Sequence, residues 1–552
     1  MSDDANSLIS HYQALWQDQA NFRTLWNTVA QFVMPAWDNF IGEFAPGVNR
    51  NTRIFDSTAI IANERFAACM EAMLTPRSQV WHKLKPDDER LEGNQRVQQY
   101  LDEVNKIMFG ARYHPEANFA SQTDECYMSL GGFGNDLLFT DEVVGTCLRY
   151  RAIPLSEIVW ALNHQGQVDT IYRKFRYTAK QAVQHWGRER VPAEVARVYA
   201  SENPYKELEF LHCVRPNDEW QPFSYGDANK KFASWYIYLG NKSVIERGAY
   251  RTFPASIGRY RVAPRESYGR GPAITCLPDI RTANEMIKTS LRAGQKAVDP
   301  PILLAEESVL NNFNQRAGAN NYGMVTSDGK PLAIPFESKG NWELAKEQLD
   351  GVREVVRDTF LNTLFQILVQ NPNMTATEAL LRAQEKGELI APAMGRQQSE
   401  FLGPLIHREI DILSEAGQLP PPPVELLKSG RGIRIEYTSP LARALRAEEG
   451  TAIMNSISDI AQIANLDKSV LYVMDFHDAA REMANIRGCP AKLLRSEEQV
   501  QELLEQAQQQ QQEAAGAEQA PQVAAGVKNL AQAAQAAGLA GQGQPGATAV
   551  PA

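Results

Sequence analysis

Two long helical patterns, separated by a short insert rich in Gly and Asn, constrain the fold of this 552-residue chain more than any other feature. The first opens at Gly271 and Pro272, where proline in the first turn costs no hydrogen bond. The second runs from about residue 341 to 370. Apolar residues recur at helical spacing along both: Leu277, Ile280, Ala283, Ile287, Leu291, Gly294 and Val298, then Leu349, Val352, Val356, Phe360, Leu364 and Ile367. The pattern predicts a hairpin of two helices, each about 35–45 Å long.

The insert between these helices predicts a small, separate tip. Asp299, Pro300 and Pro301 end the first helix, because proline cannot continue it. Strand-like runs follow at 302–304 and 323–326 among many Gly and Asn residues. We therefore expect a compact unit that projects from the end of the hairpin.

The chain begins with two predicted helices. Apolar residues at steps of three and four predict a helix over 7–34, which Pro35 ends. A second helix is predicted over 57–74, with Asp56 or Ser57 as the residue that caps its first turn.

A strand-rich module follows between residues 133 and 253. Short β-branched and aromatic runs alternate there with turn signals, at 146–150, 170–175 and 235–239. Gly131 and Gly132 precede Phe133 at its start, and this segment allows either a Gly-rich ligand loop or a turn from helix to strand. The turn is the favoured interpretation.

The chain after the hairpin is mainly helical and ends in a tail of low complexity. Asn371, Pro372 and Asn373 break the second long helix, and Thr375 with Glu378 forms a capping box that starts another. Helical texture to 416, a strand over 432–437, helices to 487 and a Gln-, Ala- and Gly-rich tail over 497–552 follow. The tail is expected to be partly disordered. The whole pattern predicts an α+β fold that is mainly helical.

Acidic residues outnumber basic ones, 66 to 56, for a net charge of -10. Tight sequence-independent binding to DNA needs Lys and Arg against the phosphates, so this composition argues against it. An acidic surface instead suits a passage along which DNA moves without sticking.

Signals for catalysis, cofactors and membranes are missing from the sequence. There is no nucleotide-binding glycine loop: the single Gly-Lys pair, Gly329 and Lys330, is followed by proline. The eight histidines are isolated, and no two cysteines are spaced as metal ligands. No apolar run is long enough to cross a membrane, and the acidic N-terminus is no signal peptide. We expect no enzyme activity, no cofactor, no metal site and no membrane contact.

A cluster of arginines just before the hairpin allows two interpretations. Arg259, Arg261, Arg265 and Arg270 lie close together in sequence, near Tyr260 and Tyr268. They could contact phosphates with help from aromatic stacking. They could instead form bidentate pairs with carboxylates of a neighbouring subunit, and the excess of acid in the chain favours this second interpretation. Arg281, Lys288, Arg292 and Lys296 on the first long helix likewise predict contacts with a channel lumen or a neighbouring subunit.

Four stretches taken together resemble the podovirus family of head-to-tail connecting, or portal, proteins. They are FVMP at 32–35 with RIFDSTA at 53–59; MLTP at 73–76 with WHKL at 81–84; ESYGRGPA at 266–273 with LPDIR at 277–281; and TATE at 375–378 with AGQLP at 416–420 and EYTSPLA at 436–442. Their order and spacing match the family over roughly residues 10–480. One departure lies at Ala263, Pro264 and Arg265 before Glu266, where the family commonly has Pro-Gly-Glu.

This resemblance implies a homo-oligomeric ring, usually of twelve subunits, at one vertex of a virion capsid. Double-stranded DNA would pass through its channel without sequence specificity. The implied partners are the large terminase subunit, capsid and scaffolding proteins and tail adaptor proteins, and assembly would occur in the host cytoplasm. Two alternatives remain open: another structural protein of the virion tail or its adaptors, and a multidomain host enzyme with an unrecognised site.

The family layout assigns each part of the chain a place. It implies a wing at 1–270, a first stem helix at 271–298, a clip at 299–340, a second stem helix at 341–370, a tunnel loop, wing return and crown at 371–496, and a tail at 497–552. The candidate loop facing the DNA channel consists of Gln370, Asn371, Asn373, Met374 and Thr375.

Overall fold

The structure is a computed structural model. It contains both helices and strands, with helix predominating, which confirms the predicted α+β fold. It describes residues 2–37, 39–42, 47–143, 147–304, 314, 316, 318–336, 342–362, 394–430, 432–438, 440–464, 468–486, 499–500, 502–503 and 506.

The helices before the hairpin are α1 (Ser2–Asp18), α2 (Ala20–Val33), α3 (Thr58–Leu74), α4 (Gln95–Arg112), α5 (Phe119–Phe133), α6 (Ala179–Trp186) and α7 (Ala193–Tyr199). The hairpin consists of α8 (Pro272–Thr275), α9 (Leu277–Val298) and α10 (Trp342–Thr359). After it come a π-helix (Gln397–Leu402), α11 (Gly403–Glu415), α12 (Val424–Ser429), α13 (Pro440–Ala464) and α14 (Phe476–Ile486).

The strands are β1 (His82–Pro86), β2 (Asn135–Val143), β3 (Cys147–Ala152), β4 (Ile158–Leu162), β5 (Val168–Thr178), β6 (Glu207–Pro216), β7 (Phe232–Tyr238), β8 (Ser243–Tyr250), β9 (Ala255–Arg259), β10 (Ile302–Leu304), β11 (Ala333–Pro335) and β12 (Ile433–Tyr437). β4 to β8 form a five-stranded antiparallel sheet in sequence order, and β3, β2 and β9 form a second sheet. The predicted strand-rich module is therefore confirmed. The turn interpretation at its start is confirmed as well, because α5 passes into β2 through Gly134 alone.

A single large core holds most of these elements together. It joins α2 to α5, the sheet of β2, β3 and β9, the start of α9, and α11. α1 covers one part of the five-stranded sheet through Leu8 and Tyr12, whereas α6 and α7 cover another through Trp186 and Val195. The pairing of β1 with β12 brings the C-terminal part of the chain back to this core.

The predicted single helix over 7–34 is wrong in two respects: the helix begins at Ser2 and is divided at Gln19. The Arg23 guanidinium donates to the backbone oxygen of Trp16 at 2.8 Å, and in a continuous helix the backbone N–H of Ala20 would bind that oxygen. The buried Gln19 amide donates to Ile158 O at 3.0 Å, which ties the break to β4. The helix predicted over 57–74 is confirmed, and Asp56 rather than Ser57 supplies its cap, accepting from Thr58 N at 2.9 Å.

Within the described residues, the second hairpin helix is interrupted after Thr359, and the part of the prediction over 363–370 lies outside the described residues. Leu361 has a φ of 61°, and one left-handed residue stops an α-helix. Phe360, which is fully buried, turns into the core next to Phe66, with the ring centroids 6.4 Å apart. α9 is thus about 33 Å long and α10 about 27 Å.

The tip of the hairpin is only partly as predicted. The strand predicted at 302–304 is confirmed and pairs antiparallel with β11, whereas the strand-like run at 323–326 forms no strand. Of that run, Val325 makes an isolated bridge to Pro331. Thr326 closes a tight turn instead, with its N–H donating to Lys330 O at 2.9 Å and its hydroxyl accepting from Lys330 N at 3.1 Å.

Candidate functional site

The hairpin of α9 and α10 divides into a buried root and an exposed outer part. At the root, which consists of 277–284 and 352–360, Leu277, Ile280, Ala283, Val356 and Phe360 are buried. Farther along the same predicted face of α9, in the outer hairpin (285–298 and 342–350), Leu291 is 53% exposed and Val298 88% exposed. An open groove of about 1010 Å³ runs along this part of α9. The apolar face therefore extends well beyond the core of its own subunit.

Two backbones meet closely where the chain enters the hairpin. Gly134 has a φ of 79°, and a Cβ there would lie 2.2 Å from Gly271 N. The Asn135 side chain fastens the same point, since its Oδ1 accepts from Gly269 N at 2.6 Å and its Nδ2 donates to Gly269 O at 3.1 Å. The base of α8 is consequently fixed on the turn between α5 and β2.

A second anchor, the root clamp, consists of Asp56, Asn284 and Arg353. Asn284 Oδ1 accepts from Phe55 N at 2.7 Å and from Asp56 N at 3.2 Å, and its Nδ2 donates to Arg53 O at 3.0 Å. Arg353 Nε donates to Asp56 Oδ2 at 3.1 Å. The clamp therefore holds α9 and α10 on the segment that starts α3.

The clamp depends on the ionised form of Asp56. Burial by itself raises the pKa of this carboxyl, but hydrogen bonds from Thr58 and from the Arg353 guanidinium outweigh burial and hold the pKa below its ordinary value. The Asp56 side chain is only 5% exposed, so its charge is screened little by water.

A buried polar network fixes α11 to the rest of the core. Arg112 donates to Glu409 through Nε at 3.0 Å and Nη2 at 2.5 Å, and Tyr150 OH donates to the same carboxylate at 2.6 Å. Both charged side chains are fully buried. Burial, reinforced by the Arg112 charge, holds the pKa of His82 well below its ordinary value, so His82 is neutral and its Nε2 accepts from Arg112 at 2.9 Å.

Two arginines of the cluster form bidentate pairs with carboxylates of their own chain and not with those of a neighbouring subunit, which was the favoured expectation. Arg259 binds Glu400 through Nε and Nη2, both at 2.8 Å, and is only 6% exposed. Arg270 binds Glu266 in the same way, at 2.8 and 2.5 Å. The side chain of Arg259 is thus enclosed in its own subunit.

The remaining members of the cluster differ in exposure. Arg261 and Arg265 are exposed, and Arg265 has a φ of 68°. Tyr260 and Tyr268 are buried, so their rings are not open to stacking with a nucleic acid. Arg261 and Arg265 are therefore the members of the cluster with side chains available to a partner.

The four basic residues of α9 form one stripe along the helix. Arg281 is exposed, with its guanidinium 5.9 Å from the Phe32 ring centroid. Lys288 pairs with Glu285 at 2.7 Å. Arg292 and Lys296 are exposed and have no ion-pair partner in the described part of the chain. We call Lys288, Arg292 and Lys296 the basic edge.

The complementary charges on α10 were missed in the sequence. Glu343, Glu347, Asp350 and Glu354 are exposed, and their steps of four, three and four residues place them on one side of the helix. That spacing was the signal that could have revealed them. We call these four residues the acidic edge.

Several predicted features lie outside the described residues. The channel-loop candidates Gln370, Asn371, Asn373, Met374 and Thr375 belong to the stretch 363–393, and most of the tail over 497–552 is likewise outside. In the described part, no cluster of three His, Cys, Asp or Glu residues could hold a metal ion. None of the described helices is long and apolar enough to span a membrane.

Comparison with known proteins agrees with the resemblance seen in the motifs. A family model for bacteriophage head to tail connecting proteins matches residues 5–494. A probable portal protein of Bordetella phage BPP-1 is 25% identical over 504 residues, covering 90% of each chain. A portal protein of Salmonella phage epsilon15 is 24% identical over 505 residues, with the same coverage. Because the match takes in nearly all the elements described above, the chain belongs to the family of bacteriophage head to tail connecting proteins.

Proposed function

We propose that this protein is a phage portal subunit, copies of which form a closed ring at one vertex of the capsid. The ring is the channel for packaging and ejecting double-stranded DNA and the attachment point of the tail. The family match over 5–494 carries this proposal, and both relatives described above are named portal proteins. The exposed outer hairpin supports it, because a heterologous contact with a closing rotation produces a ring.

The proposed layout follows the family. Residues 1–270 form the wing, 271–298 and 341–370 the stem, 299–340 the clip, 371–496 the tunnel loop, wing return and crown, and 497–552 the tail. The described structure supports it through the hairpin of α9 and α10, the small β10–β11 unit between them, and the return of β12 to β1.

The proposed partners are proteins of the virion and its assembly. They are further copies of this chain, the large terminase subunit, capsid and scaffolding proteins and tail adaptors. Assembly takes place in the host cytoplasm, and the finished ring stays at the portal vertex of the virion. The family is structural, and we propose neither a catalytic role nor a cofactor.

The decisive experiment is electron microscopy of the purified full-length protein, combined with light scattering. We expect particles with a closed outline and a central hole, of one size across several salt concentrations. A monodisperse monomer at micromolar concentration would contradict the proposal.

We also propose that Gln370, Asn371, Asn373, Met374 and Thr375 form the loop that faces the DNA. These side chains are uncharged, so they can touch DNA without holding its phosphates. Replacing Asn371 and Asn373 by Lys should leave ring formation intact and change packaging or retention of DNA, measured as the DNA content of assembled particles. Normal rings with normal packaging and retention would place the loop away from the channel.

A further inference from the structure

The two edges of the outer hairpin carry opposite charge and do not neutralise each other within the chain. On the basic edge, Arg292 and Lys296 have no ion-pair partner among the described residues, and on the acidic edge the same holds for Glu343, Glu347 and Glu354. Like charges three or four residues apart on a helix repel each other. Lys288 and Asp350 are already paired with Glu285 and Arg353, so the like charges without an ion pair among the described residues are Arg292 with Lys296 and Glu343 with Glu347, and a surface of opposite sign would relieve their repulsion.

The root clamp sets the relative height of the two edges. Asn284 on α9 and Arg353 on α10 both bind Asp56, so they lie at the same level. Ala345 shares a pocket with Thr289 and Ser290, which shows that the helices run in opposite directions. Counting outward from the clamp at about 1.5 Å per residue places Arg292 level with Ala345, whereas counting from the pocket places it about two residues nearer the tip, so Arg292 lies at the height of 343–345, where the interval between Glu343 and Glu347 begins. Each edge thus has charges of the other sign at its own height.

Rotation about a ring axis preserves height along that axis. When the hairpin runs along the axis, a head-to-tail contact brings α9 of one copy against α10 of the next at matching levels. We propose that the basic edge of one subunit docks on the acidic edge of its neighbour, with Arg292 between Glu343 and Glu347. This inference rests on the proposed ring.

The apolar residues on α9 favour a protein partner over DNA. Leu291 and Val298, 53% and 88% exposed, lie on the face next to the basic edge. A phosphate backbone does not cover apolar side chains, whereas a subunit interface combines an apolar centre with charged surroundings. A second copy of this chain satisfies both the apolar and the charged parts of the surface.

Charge reversal in the full-length protein tests this pairing. Arg292→Glu and Glu347→Arg are made singly and together, and ring formation is followed by analytical ultracentrifugation over a range of concentrations and salt. Each single change should raise the concentration needed for half-assembly about tenfold, and the double change should restore most of the loss. Arg190→Glu, at a position 68% exposed in the turn between α6 and α7, is the charge-reversal control and should have no effect on assembly.

Every outcome decides the question. Wild-type protein that forms no ring overturns the proposed function itself. Rings that tolerate both single reversals, or single defects that the double change does not repair, overturn only the pairing. Arg292→Gln and Glu347→Gln, which remove charge without reversing it, should give smaller defects in the same direction and guard against misfolding of the reversed variants.

Discussion

The root and the outer part of the hairpin share the same helices but differ in what their side chains contact. At the root, Leu277 and Phe360 are buried in the core, and Asn284 has its hydrogen bonds satisfied within the chain. In the outer part, Leu291 is half exposed and Arg292 has no described ion-pair partner. A continuous amphipathic pattern can therefore serve two purposes: its first turns stabilise the subunit, and its later turns remain available to another copy.

The largest loss of folding stability is expected in the buried polar network that joins α11 to the core. Glu409→Ala leaves the buried Arg112 charge without its partner, which should lower the free energy of unfolding by about 3–5 kcal/mol. Glu415→Ala on the same helix is the matched control: its pair with Arg251 is partly exposed, and the loss should be about 1 kcal/mol or less. Urea unfolding of both variants measures the difference. Equal losses would mean that the buried network is not what holds α11 in place.

A smaller effect is expected at the root. Asn284→Ala removes the hydrogen bonds to Arg53 O, Phe55 N and Asp56 N, and should lower the free energy of unfolding by about 2 kcal/mol. Gln295→Ala, exposed on the outer part of the same helix, should change it by less than about 0.5 kcal/mol. Thermal unfolding of the two variants measures the difference. Comparable losses of stability would show that the root and the outer hairpin do not differ in their contribution to folding.

Substitutions in the outer part of the hairpin should weaken assembly of the ring more than they destabilise the folded subunit. Replacing Leu291 and Val298 together by Ser should change the free energy of unfolding of the subunit by less than about 1 kcal/mol, since little buried surface is lost. Half-assembly should need a clearly higher concentration, as ultracentrifugation can show. A loss of stability typical of a buried leucine, about 2–5 kcal/mol, would show that the subunit itself covers these residues.

The smallest expected effect is a pH-dependent change in the stability that the root clamp provides. Because the pKa of Asp56 is lowered in the folded protein, its stabilising contribution is complete above the ordinary value of 3.8 and fades as the pH falls through the folded value. The melting temperature of Asp56→Asn should therefore lie below that of the wild type at pH 6 and approach it near pH 3. A constant difference over this range would mean that the carboxylate charge does not contribute to the clamp.

Local signals in the sequence were sufficient for much of the fold. Pro272 marked the start of the hairpin, and the aromatic runs marked the strands, because helix caps and strand periodicity depend on neighbouring residues. The break at Gln19 and the end of α10 were not visible in this way. The first depends on the contact between Arg23 and Trp16, and the second on the burial of Phe360 in the core.

The candidate site was harder to predict because its contacts join distant parts of the chain. Asn284 binds a segment 228 residues away, and Arg259 pairs with Glu400 over 141 residues. Nothing in the local sequence indicates that one arginine is enclosed in its own subunit whereas Arg292 remains available. The spacing of the acidic residues along α10 can be read from the sequence. Their height relative to the basic edge cannot, because the root clamp that sets it joins distant parts of the chain.

The most direct test of the central claim is a disulfide formed between subunits across the two edges. Arg292→Cys and Glu347→Cys are placed in separate, differently tagged copies of the full-length chain, which are co-expressed and oxidised. We expect covalent dimers that contain both tags, because the two sulfurs come within bonding distance only when the basic edge of one copy lies on the acidic edge of the next. Assembled rings that yield no such mixed dimers would contradict the account.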